Sequence, residues 1–90
     1  MKTIFFVVYL ADVNEMTEAV AESLFEAGCD GVPGSREGRV MIQYAREANS
    51  IDEAVVPALD EIKKAGFDFS KVEIDPESAH EIYLKSRSVA

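Results

Sequence analysis

Residues that commonly perform catalysis or bind metals are scarce in this sequence. Its 90 residues include one cysteine, one histidine and no tryptophan. A single cysteine excludes an internal disulfide and a CxxC metal or redox pair, and it fits a reducing cytoplasm. The five glycines form neither a GxGxxG nor a GxxxxGKS/T motif, so no phosphate-binding loop is predicted. We therefore expect a protein without catalytic residues, metal ligands or cofactors.

Cys29 and His80 both have ordinary structural interpretations. Cys29 directly follows Gly28 at the end of an acidic helix, where no neighbour is expected to activate the thiol as a nucleophile. It is interpreted as a small, partly buried hydrophobic residue. His80 lies on a predicted terminal helix beside Glu77 and Glu81, and a solvated helix residue is favoured over a general base.

Long hydrophobic runs are also missing. The longest apolar run extends from Ile4 to Leu10 and falls far short of the roughly 20 residues that a membrane-spanning helix needs. No small-residue cleavage site follows it, so the run is predicted to be a buried strand rather than a signal peptide. We expect a cytoplasmic protein that does not contact a membrane.

Positive charge is scarce as well, particularly in the first third of the chain. The net charge is −8, from 17 acidic and nine basic residues, and no basic residue occurs between Lys2 and Arg36. Carboxylates repel the phosphates of nucleic acids and of anionic lipids, so direct binding of either is disfavoured. A basic protein surface is the favoured partner, and electrostatic attraction speeds its capture.

The pattern of hydrophobic residues and turn signals predicts an α+β fold. The predicted elements are strands at 3–10, 31–35, 39–45 and 72–74 and helices at about 13–27, 51–65 and 76–87. This order predicts a ferredoxin-like βαββαβ sandwich over residues 1–75, with a four-stranded antiparallel sheet and two helices on one face. Residues 76–90 are predicted to add a C-terminal helix that packs on this domain or extends from it. We expect a monomer or a weak homodimer.

Capping residues are predicted at the start of both helices of the sandwich. Asp12, with Glu15 three residues later, has the spacing of a capping box for the first helix, and Asn14 is an alternative cap. Ser50, with Glu53 three residues later, has the same spacing at the start of the second helix.

Six acidic residues and no basic ones occur between residues 12 and 30. They are Asp12, Glu15, Glu18, Glu22, Glu26 and Asp30. At about 100° per residue, the four glutamates fall within an arc of about 80° on the predicted first helix, opposite its apolar residues. Like charges at this spacing cost a few tenths of a kcal/mol per pair, so stability alone does not favour the arrangement. The alternative interpretation is an ordinary solvated helix face.

The spacing of these carboxylates suggests a use. Carboxylates one helical turn apart are separated by about 5 to 6 Å, which is comparable with the spacing of phosphates along a nucleic-acid strand. A row of this kind fits a basic channel that normally holds DNA or RNA. We therefore predict that the six acids form a partner-binding surface, and that the partner is a basic nucleic-acid-binding protein or complex.

Three stretches of the chain carry a resemblance to a known group of proteins. They are EAGCD (26–30), REANSIDEAV (46–55) and ALDEIKKAGFDFSKVEID (58–75). In this order and spacing they resemble the N-terminal domain of small bacterial proteins found in mobile-element neighbourhoods, many of which continue into a DNA-binding helix-turn-helix. The resemblance implies a role in mobile-DNA biology. Residues 77–90 are too few for a recognition helix, so we expect this protein to act by contacting another protein.

Three functions are compatible with these observations. The leading interpretation is a non-catalytic inhibitor of a nucleic-acid-binding machine, similar in size and charge to the phage-encoded anti-CRISPR inhibitors. The second, implied by the resemblance, is an antitoxin or regulatory module related to helix-turn-helix proteins. The third is a small-molecule-binding regulatory domain, because the ferredoxin-like fold hosts many unrelated functions, including effector binding between paired domains.

Overall fold

The structure, a computed structural model, describes residues 2–76 apart from the side chain of Arg36. Its elements, in chain order, are β1 (Lys2–Ala11), α1 (Glu18–Glu26), β2 (Val32–Arg36), β3 (Arg39–Ala48), α2 (Ile51–Lys64) and β4 (Asp68–Ile74). The C-terminal helix predicted over 76–90, with His80, lies outside the described residues except for Pro76. Among the described residues, neither helix has the length and hydrophobicity needed to cross a membrane.

β1 lies in the interior of a four-stranded antiparallel sheet with the strand order β2-β3-β1-β4. It pairs with β3 from Lys2 opposite Ala48 to Tyr9 opposite Met41. On its other side it pairs with β4, with a shift of register after Tyr9. Each helix therefore connects two strands that run in the same direction and have one antiparallel strand between them. The prediction of an α+β fold with a four-stranded antiparallel sheet and two helices is confirmed.

One face of the sheet forms the core together with both helices. The even-numbered residues of β1 and β3 point into it, as the alternation of side chains along a strand requires. They include Ile4, Phe6, Val8 and Leu10 on β1 and Val40, Ile42 and Tyr44 on β3. α2 adds Ala54, Val55, Ala58 and Ile62, whereas α1 buries only Leu24 completely. The first helix is therefore packed less deeply than the second.

β2 and β3 form a hairpin closed by Glu37 and Gly38. Both residues have positive φ, 52° and 76°, which is the requirement of a type I′ turn and matches the twist of the paired strands. Arg36 pairs with Arg39 at the base of the turn. Pro33 is tolerated within β2 because this strand lies at the edge of the sheet.

The second helix begins and ends as the sequence predicts. Ser50 has an extended backbone, and its hydroxyl accepts a hydrogen bond of 3.2 Å from the Glu53 N–H. The Glu53 carboxylate accepts a bond of 2.9 Å from the N–H of Asn49, the residue before the cap, rather than from the Ser50 N–H as in a strict capping box. At the other end, Gly66 adopts positive φ, and the N–H groups of Gly66 and Phe67 bond to the last carbonyls in a Schellman motif.

The first helix is shorter than predicted, because it begins at Glu18 rather than near residue 13. Asp12 has a left-handed φ of 58°, so it ends β1 and lacks the extended backbone of an N-cap. Thr17 is the cap instead: its backbone is extended and its hydroxyl accepts a bond of 3.2 Å from the Val20 N–H. The predicted caps Asp12, with Glu15, and Asn14 are therefore wrong.

After α1 the chain passes very close to β3. Gly28, with φ of 92°, ends the helix as predicted. At Gly31, an added Cβ would lie 2.5 Å from Ile42 Cγ2 and 2.8 Å from the Gln43 carbonyl oxygen. Only glycine permits this approach, and it places the segment from Cys29 to Gly31 directly against the strand.

We predict that Gly31→Ala destabilises the fold, because overpacking of this kind costs about 1–3 kcal/mol. Each kcal/mol lowers the Tm of a domain of this size by about 4–8 °C. Gly34→Ala is the matched control, since an added Cβ there meets no atom within 4 Å, and it is expected to leave the Tm unchanged. Thermal and urea unfolding check both variants, and equal stabilities would contradict the close approach at Gly31.

Candidate functional site

The glutamates of α1 form a short row on the exposed side of the helix. Glu18, Glu22 and Glu26 recur at four-residue spacing, so each step advances by about 6 Å along the helix and about 40° around it. All three residues are exposed. We call these three residues the acidic row.

The other three acids predicted for this surface do not belong to the row. Glu15 precedes α1, and Asp12 ends β1 in its left-handed conformation, although both are exposed. Asp30 follows α1, and its carboxylate forms an ion pair of 2.8 Å with Arg46. The structure therefore places three of the six predicted residues side by side on one helix. The carboxylate of Asp30 is instead neutralised by an ion pair within the fold.

The ion pairs of the described basic side chains lie outside the acidic row. Exposed ion pairs among the described residues include Lys63 with Asp68 at 3.1 Å and Lys71 with Glu73 at 3.2 Å. Among residues 2–76, no ion pair involves a member of the acidic row. The row therefore presents its charge to the solvent.

An apolar cleft of about 630 Å³ lies between the acidic row and the β2 edge of the sheet. The three glutamates line one side of it, and Leu24, Phe25, Cys29, Pro33 and Ile42 are among the other lining residues. We call this space the α1–β2 cleft. Its volume is in the range of clefts that bind small molecules or peptide side chains, and the shallow packing of α1 is what leaves it open.

Phe25 is the most exposed large hydrophobic residue among those described, with 79% of its surface accessible. At 100° per residue, Phe25 lies about 20° from Glu18 around the helix axis, on the side of Glu18 that is turned away from Glu22 and towards Leu24. A single exposed apolar residue is common in proteins. Phe25 differs because it borders an apolar cleft on one side and a row of carboxylates on the other.

Arg46 of β3 connects the end of α1, the sheet and α2. Its Nη2 lies 2.8 Å from Asp30 Oδ1 and 2.6 Å from Glu61 Oε1, and its guanidinium lies 4.9 Å from the centre of the Tyr44 ring. Only 15% of the Arg46 side chain is exposed. Burial alone would lower the Arg46 pKa, but the hydrogen bonds to the two carboxylates outweigh it and raise the pKa. The arginine is therefore held charged between its partners.

Cys29 and Tyr44 meet beside this ion-paired group. The Tyr44 ring stacks on Phe6, with 4.9 Å between ring centres and 12° between planes. Its buried hydroxyl makes no well-aligned hydrogen bond with a described residue, and its polar neighbour is the Cys29 thiol, a weak acceptor. Burial raises the pKa of both groups. This environment disfavours the thiolate that a nucleophilic cysteine requires.

Sequence reasoning overlooked Arg46, Glu61 and Phe25. A signal for Arg46 was present, because the alternation that turns the even-numbered residues of β3 inwards includes it, and an inward arginine needs acidic partners. Phe25 could have been noticed as an aromatic residue on the charged side of an amphipathic helix. Glu61 carried no signal of its own, since it is one of several acids on α2.

Comparisons with known proteins do not assign the site. No family model matches the chain, and no curated protein or solved structure matches it either. Among the described residues, no group of three or more His, Cys, Asp and Glu side chains is arranged to hold a metal ion. The resemblance to mobile-element proteins stays a prediction, and the function must be argued from the site itself.

We predict that Arg46→Ala lowers the free energy of unfolding by about 2–3 kcal/mol, because it leaves the partly buried Glu61 without its partner and uncovers the Tyr44 ring. Arg39→Ala is the control, because Arg39 is exposed and approaches only the face of a tyrosine ring, 5.6 Å from its centre. It is expected to cost less than about 1 kcal/mol. Urea unfolding distinguishes them, and a smaller loss for Arg46→Ala than for Arg39→Ala would contradict this assignment.

We also predict that Cys29 makes the fold sensitive to alkali. Burial raises the thiol pKa in the folded state, so the folded protein favours the protonated thiol. The resulting contribution to the free energy of unfolding is complete below the unfolded pKa of about 8.5. It is lost as the pH rises above that value, by up to about 1.4 kcal/mol per pH unit. Unfolding free energies measured at pH 8 and pH 10 should fall less for Cys29→Ala than for the unaltered protein. The same fall in both proteins would show that the thiol ionises freely in the fold.

Proposed function

We propose that this chain is a non-catalytic binding protein that captures a basic partner through the acidic row. The proposal is based on three exposed carboxylates that stand at regular spacing along an apolar cleft. None of the three forms an ion pair with a described residue. An ordinary exposed helix mixes the two signs of charge. α1 has glutamates at i, i+4 and i+8 instead, and each like-charged pair costs a few tenths of a kcal/mol.

Binding a basic surface removes that cost and replaces repulsion by attraction. Carboxylates exposed to solvent act mainly on the rate of encounter, because their field reaches about one Debye length, some 8–10 Å, at physiological salt. A protein with a net charge of −8 attracts a cationic partner over this range and repels nucleic acid. The charge therefore supports protein binding and opposes direct DNA or RNA binding.

We propose a nucleic-acid-binding protein or complex as the partner. The carboxylates of the acidic row stand about 6 Å apart along α1, close to the spacing of backbone phosphates that a basic nucleic-acid channel accommodates. An inhibitor that occupies such a channel, comparable in size and charge with the anti-CRISPR inhibitors, is the function that we infer. The predicted four-carboxylate row is reduced to three, so the imitation of phosphates extends over about 12 Å.

We also propose that the fold is the ferredoxin-like βαββαβ sandwich. The strand order β2-β3-β1-β4 supports this assignment, because each βαβ unit is split by one antiparallel strand. This fold hosts many unrelated functions, so it contributes no functional argument of its own.

The two other functions predict different behaviour in a capture experiment. An antitoxin or regulatory module would retain one basic partner encoded beside it, and added DNA would not displace that partner. A small-molecule regulatory domain would copurify with a metabolite and would show no dependence on salt. The inhibitor is expected to release its partner both at high salt and on addition of DNA.

The test compares the unaltered protein with the double variant Glu18→Lys/Glu22→Lys in capture from a bacterial lysate. Reversal of two charges in the acidic row is expected to abolish capture at low salt, while the fold is retained because both positions are exposed. Captured proteins are identified by mass spectrometry, and their nucleic-acid binding is measured with and without the unaltered protein. Inhibition of that binding supports the proposal.

Glu47→Lys/Asp60→Lys is the matched control. Both residues are exposed and lie outside α1. Each replacement adds two units of charge, so both double variants change the net charge from −8 to −4. The control is expected to retain capture. If the two variants behave alike, net charge rather than the acidic row determines binding, and the proposed site is wrong.

A further inference from the structure

The α1–β2 cleft combines two features, an apolar interior and an acidic rim. Its interior is apolar, with Leu24, Pro33 and Ile42 among its lining residues, and Phe25 stands at its border with 79% of its surface exposed. Its rim on the α1 side is the acidic row. A ligand that satisfies both features must present hydrophobic groups and positive charges side by side.

We propose that this cleft binds a basic amphipathic α-helix of the partner, with hydrophobic side chains in the cleft and Lys or Arg side chains on the acidic row. The proposal rests on the proposed function and specifies how the partner is held. It makes Phe25 the central apolar contact and gives the three glutamates the role of a charged rim.

The spacing of the acidic row favours a helix as the occupant. A helix lying alongside α1 brings basic residues at i, i+4 and i+8 to steps of about 6 Å, the same steps as the three glutamates. Hydrophobic residues at i+3 and i+7 of that helix then point to one side of the basic residues, where the cleft lies. Recognition of an amphipathic helix by a groove is a common mode of peptide binding.

Other occupants match the cleft less well. An extended segment would add a strand to the β2 edge, but Pro33, the second residue of β2, has no N–H to donate. Nucleic acid brings phosphates to a rim of carboxylates. A small uncharged hydrophobic molecule would fill the cleft and leave the acidic row without a partner.

The test uses peptide probes of defined sequence on the full chain. One peptide contains leucine and lysine arranged so that the leucines occupy a single face of a helix. A second peptide has the same composition in an order that distributes both residues around the helix. Titration of the isotope-labelled protein, followed by NMR, gives both the dissociation constant and the residues affected.

The amphipathic peptide is expected to bind at least about tenfold more tightly than the scrambled one, since only it buries its leucines while its lysines reach the rim. Signals of Cys29, Gly31 and Ile42 should shift on binding. Equal binding of the two peptides, or shifts confined to exposed residues of α1, would show that only charge is recognised and would overturn the proposal. Equally tight binding of an uncharged hydrophobic probe, N-phenyl-1-naphthylamine, would also overturn it in favour of a small-molecule cleft.

Phe25→Ser separates this inference from the proposed function, with Val56→Ser as the matched control. Both residues are exposed hydrophobic positions on helices, but Val56 lies on α2 away from the cleft. Phe25→Ser is expected to weaken the amphipathic peptide by about tenfold or more, as for an aromatic anchor, with the dependence on salt unchanged. Val56→Ser is expected to bind as the unaltered protein does.

The two proposals fail in different ways. If Phe25→Ser binds the peptide and the lysate partner normally while Glu18→Lys/Glu22→Lys binds neither, the cleft is not used and the acidic row remains the binding surface. If the charge-reversed protein still captures the lysate partner, the proposed function is wrong irrespective of the peptide result.

Discussion

Arg46 is the residue on which the arrangement of the candidate site depends. It emerges from β3 and pairs with Asp30, just after α1, and with Glu61 on α2. Without this contact, the end of α1 would be held to the sheet mainly by Leu24 and by the close approach at Gly31. Because Arg46 has little exposure, its charge must be paired, and its ion pair with Asp30 ties the residues that follow α1 to β3. The α1–β2 cleft lies beside this contact, with Cys29, Gly31 and Ile42 among its lining residues.

Charge repulsion matters more for the stability of α1 than for that of α2, because α1 is packed less deeply. A helix that buries a single residue completely gains little hydrophobic stabilisation, so the repulsion along the acidic row is a larger fraction of its stability than it would be in α2. α2 shows the opposite arrangement, with acids in its first turn and Lys63 and Lys64 in its last, as the helix dipole favours. The two helices thus have different roles: α2 stabilises the core, and α1 presents charge.

The parts of the fold that depend on local chemistry were predictable from the sequence. The start of α2 at Ser50, the turn at Gly38 and the strand alternation on β3 each follow from a few neighbouring residues. The start of α1 was not, because three candidate caps lie within six residues, and the extended backbone and hydrogen bond of Thr17 decide between them. The site was predicted only in part. The three glutamates followed from helical periodicity, whereas Arg46 and Phe25 acquire their meaning from residues distant in the sequence.

In the proposed complex, the cleft and the acidic row would make separable contributions to binding. Exposed carboxylates are screened by salt and influence mainly the association rate, because they act before contact is made. In this proposal Phe25 acts only after contact, when its ring leaves water, and burial of an aromatic side chain slows dissociation. Charge alone would retain any basic protein, and an apolar cleft alone would retain any hydrophobic segment. Under the proposal, a partner with both properties at helical spacing is selected because it alone satisfies the two requirements together.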